Sequence, residues 1–395
     1  MNPAGVRIIV LNWKRAAETA ECLRSLEAAD LGGASVMVVD NGSPPETVEA
    51  LRRAFPRLRI LSLPENRGFA GGNNAGIQVA LDEGAEGVLL LNNDTVVAPD
   101  FLPPLLEAIG SSPQAGAASS AVFRMDRPEM LDVAWCEVDF AQRHAVKIVG
   151  VNALPGEGFD RRRSVPVVMG CSVLIKAEAF RRVGLFDEAY FAYHEDVDWC
   201  LRARRAGYEL FFEPFSRVYH RGSRSTARPR PQAPPVVRRP AGPELPNAEP
   251  LPWNPVRTYL GTRNLVRLLR TYANRKQRLS FARACVREIP LEFSAILVGE
   301  AGRMRLGAWS YRRFLDTYFI ERHPVLRTPP QGWFGKVRRI GAVVTLPVVD
   351  AVWSLPRDIV RAWRRGQFAE FAEYLRGLRD GVLDRPLPLG RLGLR

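Results

Sequence analysis

The sequence predicts an α/β fold in which a mostly parallel sheet is covered by helices on both faces. In the first 110 residues, apolar runs that end in polar turns alternate with segments compatible with amphipathic helices. The runs are nearly continuous in Val, Ile and Leu, which is typical of strands buried on both faces. Alternation of such strands with helices favours a doubly covered sheet. The predicted strands are Val6–Leu11, Val36–Val39, Leu58–Leu63 and Val88–Leu91, and the predicted helices are Ala16–Ala29, Thr47–Ala54 and Gly72–Glu83.

Downstream of this region the pattern changes twice. Short strands with Gly and Pro turns fill residues 118–175, and a helix from Glu195 to Arg205 precedes a strand that leads to His220. Residues 221–255 contain ten prolines and only two acidic residues, which is typical of an exposed flexible loop. Amphipathic patterns with many arginines follow. We therefore divide the chain into an α/β domain over residues 1–222, a Pro/Arg-rich loop or linker over residues 223–255, and a basic amphipathic helical region over residues 256–395.

The composition is that of an ordinary globular protein, but its charge is unevenly distributed. The 395 residues are 46% hydrophobic and 25% charged, which excludes collagen-like and wholly disordered chains. No apolar run approaches the roughly 20 residues needed to span a bilayer, so we expect a cytoplasmic protein. Residues 1–216 carry 22 basic and 29 acidic side chains, whereas residues 217–395 carry 34 basic and 13 acidic ones. For the second part we expect an acidic partner: a membrane surface, a phosphorylated acceptor or a nucleic acid.

Polar turns at the ends of the predicted strands are the first candidate sites, because ligands of such sheets bind beyond the carboxyl ends of the strands. These turns cover residues 12–15, 40–43 and 92–95. Asp40 is suited to accept hydrogen bonds from a ribose or a base, although an Asx turn explains the same residues. Asp94 follows a fully apolar strand and is suited to hold a divalent cation that bridges a diphosphate. A turn or helix cap is the alternative for Asp94.

A glycine-rich segment, residues 65–76, precedes the third predicted helix. Its backbone N–H groups and the positive helix end suit an anion. It lacks the Gly-Lys-Ser/Thr of a phosphate-binding P-loop and does not have the spacing of the dinucleotide fingerprint. A tight turn with close packing is the alternative interpretation.

Three carboxylates lie in the first turn of the helix that starts at Glu195, namely Glu195, Asp196 and Asp198. Attraction to the positive helix end explains two of them and leaves the third less explained. One of them is suited to be a general base, which the helix end would keep ionised but make less basic. His220 precedes the flexible loop, where a structural role and ligation of a metal or phosphate are the two alternatives.

Taken together and in this order, these segments resemble the bacterial glycosyltransferases of family 2, which have the GT-A fold, and within that family the rhamnosyltransferase-like members. The resemblance covers about residues 5 to 270 and rests on five ordered motifs, each weak alone; a later stretch, residues 259–264, also looks like this family. The motifs are Val10-Leu11-Asn12, Val39-Asp40-Asn41-Gly42-Ser43, Glu65-Asn66-Arg67-Gly68-Phe69, Leu91-Asn92-Asn93-Asp94-Thr95, and Phe186-Asp187 before Glu195-Asp196-Val197-Asp198-Trp199.

The resemblance implies a role for each matching residue. Asp196 would be the catalytic base, with Glu195 beside it in the catalytic site. Asp94 would bind a divalent cation, Mn²⁺ or Mg²⁺, together with Asn92 and His220. Asn92 replaces the first aspartate of the family's metal motif, and a neutral amide binds a cation less strongly. The residues expected to bind the donor are Asn12, Asp40, Asn41, Asn66, Arg67, Gly68, Asn73 and Asn93.

The function expected from this resemblance is inverting transfer of a sugar from a nucleoside diphosphate donor, linked to UDP or dTDP, with rhamnose as one candidate sugar. The acceptor would be a hydroxyl of a cell-surface glycan or of a lipid-linked molecule. The basic helices would place the protein at the cytoplasmic face of the inner membrane, or they would pack on each other or on a second subunit. The rival interpretations are a nucleotidyltransferase and an inactive protein that binds sugar nucleotides or polysaccharides. No specific binding of nucleic acid is expected.

Overall fold

The computed structural model describes residues 1–142, 145–221, 255–285 and 367–394. The predicted linker, residues 223–255, lies outside the described residues except for Pro255. Of the predicted helical region, residues 286–366 and residue 395 also lie outside them. The division into three parts therefore stays a prediction.

A ten-stranded mixed sheet forms the centre of the α/β domain. Its main path runs in the order β10-β12-β6-β11-β4-β1-β2-β3, with β5 paired to β12 and β7 paired to β6. Strands β4, β1, β2 and β3 are parallel, whereas β11 runs antiparallel to both of its neighbours. The strands are β1 (Val6–Asn12), β2 (Ser35–Asn41), β3 (Arg59–Leu63), β4 (Gly87–Asn92), β5 (Thr95–Val97), β6 (Ala115–Arg124), β7 (Leu131–Val133), β8 (Trp135–Val138), β9 (Val146–Val149), β10 (Arg163–Ser164), β11 (Ser172–Lys176) and β12 (Glu209–His220). Strands β8 and β9 form a separate hairpin.

Helices cover both faces of the sheet, as the sequence predicts. The helices of the domain are α1 (Ala16–Glu27), α2 (Pro45–Ala54), α3 (Gly68–Asp82), α4 (Leu102–Gly110), α5 (Ala177–Val183) and α6 (Glu195–Arg205). Side chains of β1 alternate between two apolar cores, because Ile8 and Val10 pack on one face and Ile9 on the other. The near-continuous apolar runs therefore reflect burial on both faces.

The glycine-rich segment differs from its prediction, because α3 already begins at Gly68. Residues 68–71 thus join the helix, in which the predicted bounds Gly72–Glu83 already placed Gly72 and Gly76. A Cβ atom on Gly72 would lie 2.6 Å from Leu11 Cδ1, and one on Gly76 would lie 2.8 Å from Val39 Cγ2. Close packing of the helix on the sheet, one of the two interpretations drawn from the sequence, accounts for these two glycines.

Beyond the domain, helix α7 (Pro255–Tyr272) packs against a C-terminal helix (Gln367–Val382). Two glycines one turn apart allow this close approach. A Cβ on Gly377 would lie 2.6 Å from the Tyr259 carbonyl oxygen, and one on Gly381 would lie 2.7 Å from Val266 Cβ. Residues 385–394, which we call the C-terminal segment, then return to the domain. In the described part of the chain, no helix has both the length and the apolar character needed to cross a bilayer.

Candidate active site

Polar side chains at the carboxyl ends of β1, β2 and β4 form one hydrogen-bond network. Asn12 lies opposite Asp40 in the parallel pairing, and its amide donates to Asp40 Oδ1 at 2.7 Å. Thr19 Oγ1 donates to Asn12 Oδ1 at 2.7 Å and accepts from Asn93 Nδ2 at 2.9 Å. The structure thus brings three predicted donor-binding residues together through Thr19. The sequence analysis missed Thr19, whose only signal is its position one turn into α1.

Asp40 is almost fully buried, with 1% of its surface exposed. Its second oxygen, Oδ2, accepts from the Ser43 backbone N–H at 3.1 Å, while the Ser43 hydroxyl accepts from the Lys14 N–H at 2.8 Å. The side chain of Asp40 thus closes the turn that follows β2, through the N–H three residues on, where an Asx turn would use the N–H two residues on. Since Asp40 also fixes the amide of Asn12, it shapes the surface at this edge of the sheet whether or not it contacts a nucleotide.

The loop before α3 is held by paired asparagines. Asn41 Nδ2 donates to Asn66 Oδ1 at 3.0 Å and to the Gly68 carbonyl at 2.9 Å, and Asn41 Oδ1 accepts from the Arg67 N–H at 2.9 Å. Asn66 Nδ2 donates to the Leu394 carbonyl at 3.0 Å. We call residues 65–68 the donor loop, because this segment carries three of the predicted donor-binding residues.

The remaining predicted donor-binding side chains are engaged within the protein. Arg67 forms an ion pair with Glu188 at 2.9 Å on the surface. Asn73 is buried in α3, where its amide donates to the Phe69 carbonyl at 3.0 Å. Direct donor contacts by these two residues, as by the other six predicted donor-binding residues, stay predictions.

Asp94 and His220 lie side by side because β5, which follows Asp94, pairs with the end of β12. In this pairing His220 lies opposite Thr95, and His220 Nε2 is 3.3 Å from Asp94 Oδ1. His220 Nδ1 is 2.8 Å from Asp132 Oδ2. The sequence analysis missed Asp132, because β7 reaches this position only through its pairing with β6. A carboxylate, an imidazole and a second carboxylate thus form a chain of three.

The two carboxylates of this chain favour the protonated, positively charged form of the His220 imidazole between them. Burial alone lowers the pKa of His220, but hydrogen bonds to Asp132 and Asp94 and the charges of both outweigh it and raise the pKa to about 10. No group of three or more His, Cys, Asp or Glu side chains that could hold a metal ion occurs among the described residues. Asp94 and His220 nevertheless fit a cation whose other ligands are phosphate oxygens and water, as is usual for Mg²⁺ sites, provided that the cation displaces the proton from His220 Nε2. Asp132 would orient the imidazole, as carboxylates next to metal-binding histidines commonly do.

The predicted catalytic carboxylates lie at the start of α6, after a backbone in an unusual conformation. Phe191, Tyr193 and His194 all have positive φ, between 63° and 72°. Such φ values store strain in non-glycine residues and concentrate at functional sites. Asp196 Oδ2 accepts from the Gly170 N–H at 3.2 Å, and Oδ1 accepts from the Val197 N–H at 2.8 Å. These two hydrogen bonds hold the Asp196 carboxylate in a fixed position after the loop.

The two neighbouring acids differ in accessibility and in pKa. Asp196 is partly accessible, whereas Glu195 is buried, and its Oε2 has no hydrogen-bond partner in the described part of the chain. Burial, with the charge of Asp196 added, raises the pKa of Glu195 well above its usual value. Burial also raises the pKa of Asp196 despite the backbone donors that lower it. The expectation of a less basic carboxylate at the helix end was wrong, because desolvation outweighs the helix end.

The third acid of the group, Asp198, has structural partners. It forms an ion pair with Arg202 at 2.8 Å and accepts a hydrogen bond from the Tyr272 hydroxyl at 2.6 Å. Asp198 therefore ties α6 to α7, and this contact explains the acid that the helix-end argument left unexplained.

Helix α7 supports the strained loop through one asparagine. Asn264 is fully buried, and its amide donates to the carbonyls of Tyr190, Ala192 and Tyr193, each at 2.8 Å. Arg263 donates to the Asn264 oxygen at 2.9 Å, which fixes the orientation of the amide. The segment of residues 259–264 that resembles the family thus holds the loop before Asp196.

We expect Asn264→Ala to destabilise the protein by about 1–3 kcal/mol, because it leaves buried carbonyls without a donor. Transfer activity should fall as well, since the loop before Asp196 loses its support. Thr271→Ala is the matched control, because Thr271 is exposed on the same helix. Thermal unfolding and initial rates measure the two effects. An Asn264→Ala protein as stable and active as the control would contradict the supporting role.

Comparison with known proteins identifies the domain. Residues 7–184 match the model of glycosyl transferase family 2. The N-acetylglucosaminyl-diphospho-decaprenol L-rhamnosyltransferase of Mycobacterium tuberculosis is 27% identical over 246 residues, which are 56% of this chain and 77% of that protein. The dTDP-rhamnosyl transferase RfbF of Shigella flexneri is 22% identical over 189 residues, which are 47% of this chain and 59% of that protein.

A solved structure agrees with the fold. The crystal structure of GalNAc-T7 with UDP, GalNAc and Mn²⁺ superposes with a TM-score of 0.51 at 16% identity, covering 83% of this chain and 59% of that chain. This likeness shows the fold alone, which is GT-A, as the sequence predicts. Residues 7–184 therefore match glycosyl transferase family 2, and the chain is similar to rhamnosyltransferases of that kind.

Proposed function

We propose that this protein transfers a deoxyhexose, rhamnose, from a dTDP-linked donor to a hydroxyl of a lipid-linked glycan acceptor, with inversion at the anomeric carbon. One observation carries the proposal. The dipeptide Gly170-Cys171 contacts both the predicted catalytic base and the strand end that precedes the predicted metal-binding turn. The Gly170 N–H donates to Asp196, and the next residue, Cys171, accepts from the Asn92 N–H at 2.9 Å. The predicted base and the predicted metal-binding turn therefore flank the same edge of the sheet.

The residues of this chain account for the proton transfer in the reaction. An ionised Asp196 accepts the proton of the acceptor hydroxyl, and the oxygen forms a bond to the anomeric carbon. The bond from that carbon to the diphosphate breaks, and its electron pair stays on the diphosphate oxygen. The raised pKa of Asp196 makes it a stronger base than an ordinary aspartate, which favours this step. Burial raises the pKa of Glu195 well above its usual value, which favours its neutral form and Asp196 as the charged member of the pair.

The leaving diphosphate requires positive charge. Asp94 and His220 would hold a divalent cation, and that cation, when bound, would neutralise charge that develops on the diphosphate. Asn92 lies at the end of β4 beside this turn, and its neutral side chain leaves Asp94 as the one carboxylate of the motif. Asn12, Asp40 and the donor loop form the neighbouring surface, on which we place the nucleoside.

The names of the relatives support the choice of substrate. The Shigella protein is named as a dTDP-rhamnosyl transferase, and the mycobacterial protein is named for a diphospho-decaprenol acceptor. Both matches cover about half of this chain. The basic side chains of its second part are consistent with an acceptor that carries phosphate.

Nucleotide binding tests the proposal directly. We expect dTDP with Mn²⁺ to raise the unfolding temperature more than UDP, GDP or CDP do, because a ligand stabilises the state that it binds. The monophosphate dTMP is the matched control, since it keeps the base and lacks the diphosphate. A panel in which no diphosphate raises the unfolding temperature would contradict a nucleotide-linked donor. Release of pyrophosphate instead of dTDP during turnover would identify a nucleotidyltransferase.

A further inference from the structure

A cavity of about 660 Å³ lies between α7, the C-terminal helix and the C-terminal segment, separate from the carboxylate sites. Its volume is within the range of small-molecule pockets. Four arginines line it together with two acids, so its side chains carry a net charge of +2. These side chains are Arg376, Arg379, Arg385, Arg391, Glu373 and Asp380.

Both acids of the cavity already form ion pairs with its arginines. Glu373 pairs with Arg376 and also with Arg391 at 2.7 Å, and it is 12% exposed. Asp380 is 6% exposed and pairs with Arg379 at 2.8 Å. The carboxylates are thus largely covered, and the excess positive charge remains on the arginines.

Arg385 has the most available guanidinium of the four. Its nearest acid, Asp380, is 3.9 Å away, and its guanidinium forms no hydrogen bond within the described ranges. Its side chain is 52% exposed, and that of Arg376 is 47% exposed. Planar guanidinium groups with free N–H donors match the geometry of phosphate oxygens.

One side of the cavity is apolar. Val256, Leu392, Ala369 and Ala372 line it, together with Pro388. A cavity that combines an arginine cluster with an apolar wall suits an amphiphilic anion, whereas a free phosphate would leave the apolar wall without a partner.

The cavity is connected to the donor loop by the C-terminal segment. Arg391 and Leu392 line the cavity, and two residues later the Leu394 carbonyl accepts from Asn66 Nδ2 of the donor loop. Leu392 and Leu394 also pack with Phe191 of the strained loop and with Tyr259 of α7. A ligand in the cavity would therefore lie against the segment that contacts both the donor loop and the loop before Asp196.

We propose that this cavity binds a phosphate group attached to a hydrocarbon chain, either the diphosphate of a lipid-linked acceptor or the headgroup of an anionic phospholipid. The arginines bind the phosphate oxygens, and the apolar wall contacts the first part of the hydrocarbon chain. The proposal rests on the proposed function only where it names the acceptor as one source of the phosphate.

The test measures equilibrium binding of farnesyl diphosphate to the full-length protein, in the Asp94→Ala background so that the diphosphate site contributes little. The double variant Arg376→Gln/Arg385→Gln removes two positive charges from the cavity. Arg52→Gln/Arg53→Gln is the matched control, because it removes two exposed charges from α2. We expect the dissociation constant to rise about tenfold or more in the cavity variant and to stay unchanged in the control.

Three further measurements complete the test. If binding of phosphatidylglycerol vesicles depends on Arg376 and Arg385 in the same way, the site binds the membrane headgroup. If the vesicles bind independently of these two arginines, the site binds the lipid diphosphate. Inorganic pyrophosphate that binds as tightly as farnesyl diphosphate would overturn the role of the apolar wall. Equal losses in the cavity and control variants would overturn the site. Because binding needs no turnover, these outcomes are distinguishable from a failure of the proposed sugar transfer.

Discussion

We expect Asp196→Asn to reduce the rate of sugar transfer by about 10²–10⁴-fold, the usual contribution of a positioned general base. The variant keeps the size of the side chain, and its one oxygen can still accept from either the Gly170 or the Val197 N–H group, so the fold should persist. Asparagine cannot accept the proton of the acceptor hydroxyl. Initial rates at saturating donor, with a cooperative unfolding transition as the control for folding, measure this loss.

Glu195→Gln is the matched variant and should keep most of the activity. Burial raises the pKa of Glu195 well above its usual value, which favours the neutral form of its side chain, and an amide of similar shape can replace that form. A large loss in Glu195→Gln, with near-parent rates in Asp196→Asn, would exchange the roles of the two acids.

Burial of Glu195 and Asp196 also predicts how the transfer rate and the stability depend on pH. Because the pKa of Asp196 is raised, the acid limb of the rate profile should lie above the ordinary range of an aspartate, with the rate rising as Asp196 loses its proton. For Glu195, the raised folded pKa means that the folded protein must retain a proton that the unfolded chain releases above about pH 4.5. The parent therefore loses stability as the pH rises from that value toward the folded pKa, and Glu195→Gln should remove this loss.

The sequence predicts those parts of the site that depend on regular sheet geometry. Parallel strands place their carboxyl ends at one edge, so Asn12 and Asp40 meet as their order in the chain implies. The role of the glycines in α3 was not predictable in the same way, because glycines suit both a loop and close packing against a sheet. Only the neighbouring side chains, Leu11 and Val39, distinguish these alternatives.

Some residues join the site through contacts between segments that are far apart in the sequence, and the local sequence pattern could not predict them. Asp132 reaches His220 through two strand pairings, and Gly170 reaches Asp196 from a loop that carries no polar side chain. Asn264 acts on a loop 72 residues earlier in the chain. The basicity of Asp196 was misjudged for a related reason, since desolvation depends on the whole surrounding fold, whereas the helix end is visible in the sequence.

Asp94→Ala should abolish the dependence of nucleotide binding on Mn²⁺ and lower the transfer rate by about 10²–10³-fold, the usual cost of losing one electrostatic contact to the transition state. Asp132→Asn should have a smaller effect, about 10–100-fold on metal affinity, because Asp132 contacts the imidazole and not the cation. Asp100→Ala is the control, since Asp100 is an exposed acid that follows β5. Rates measured across a Mn²⁺ titration separate the three variants, because reduced affinity shifts the midpoint whereas a lost ligand lowers the plateau. Parent-like rates in Asp94→Ala would remove the cation from this turn and leave positive charge at the diphosphate to His220, whose pKa Asp132 would still raise, without the contribution that Asp94 makes in the parent.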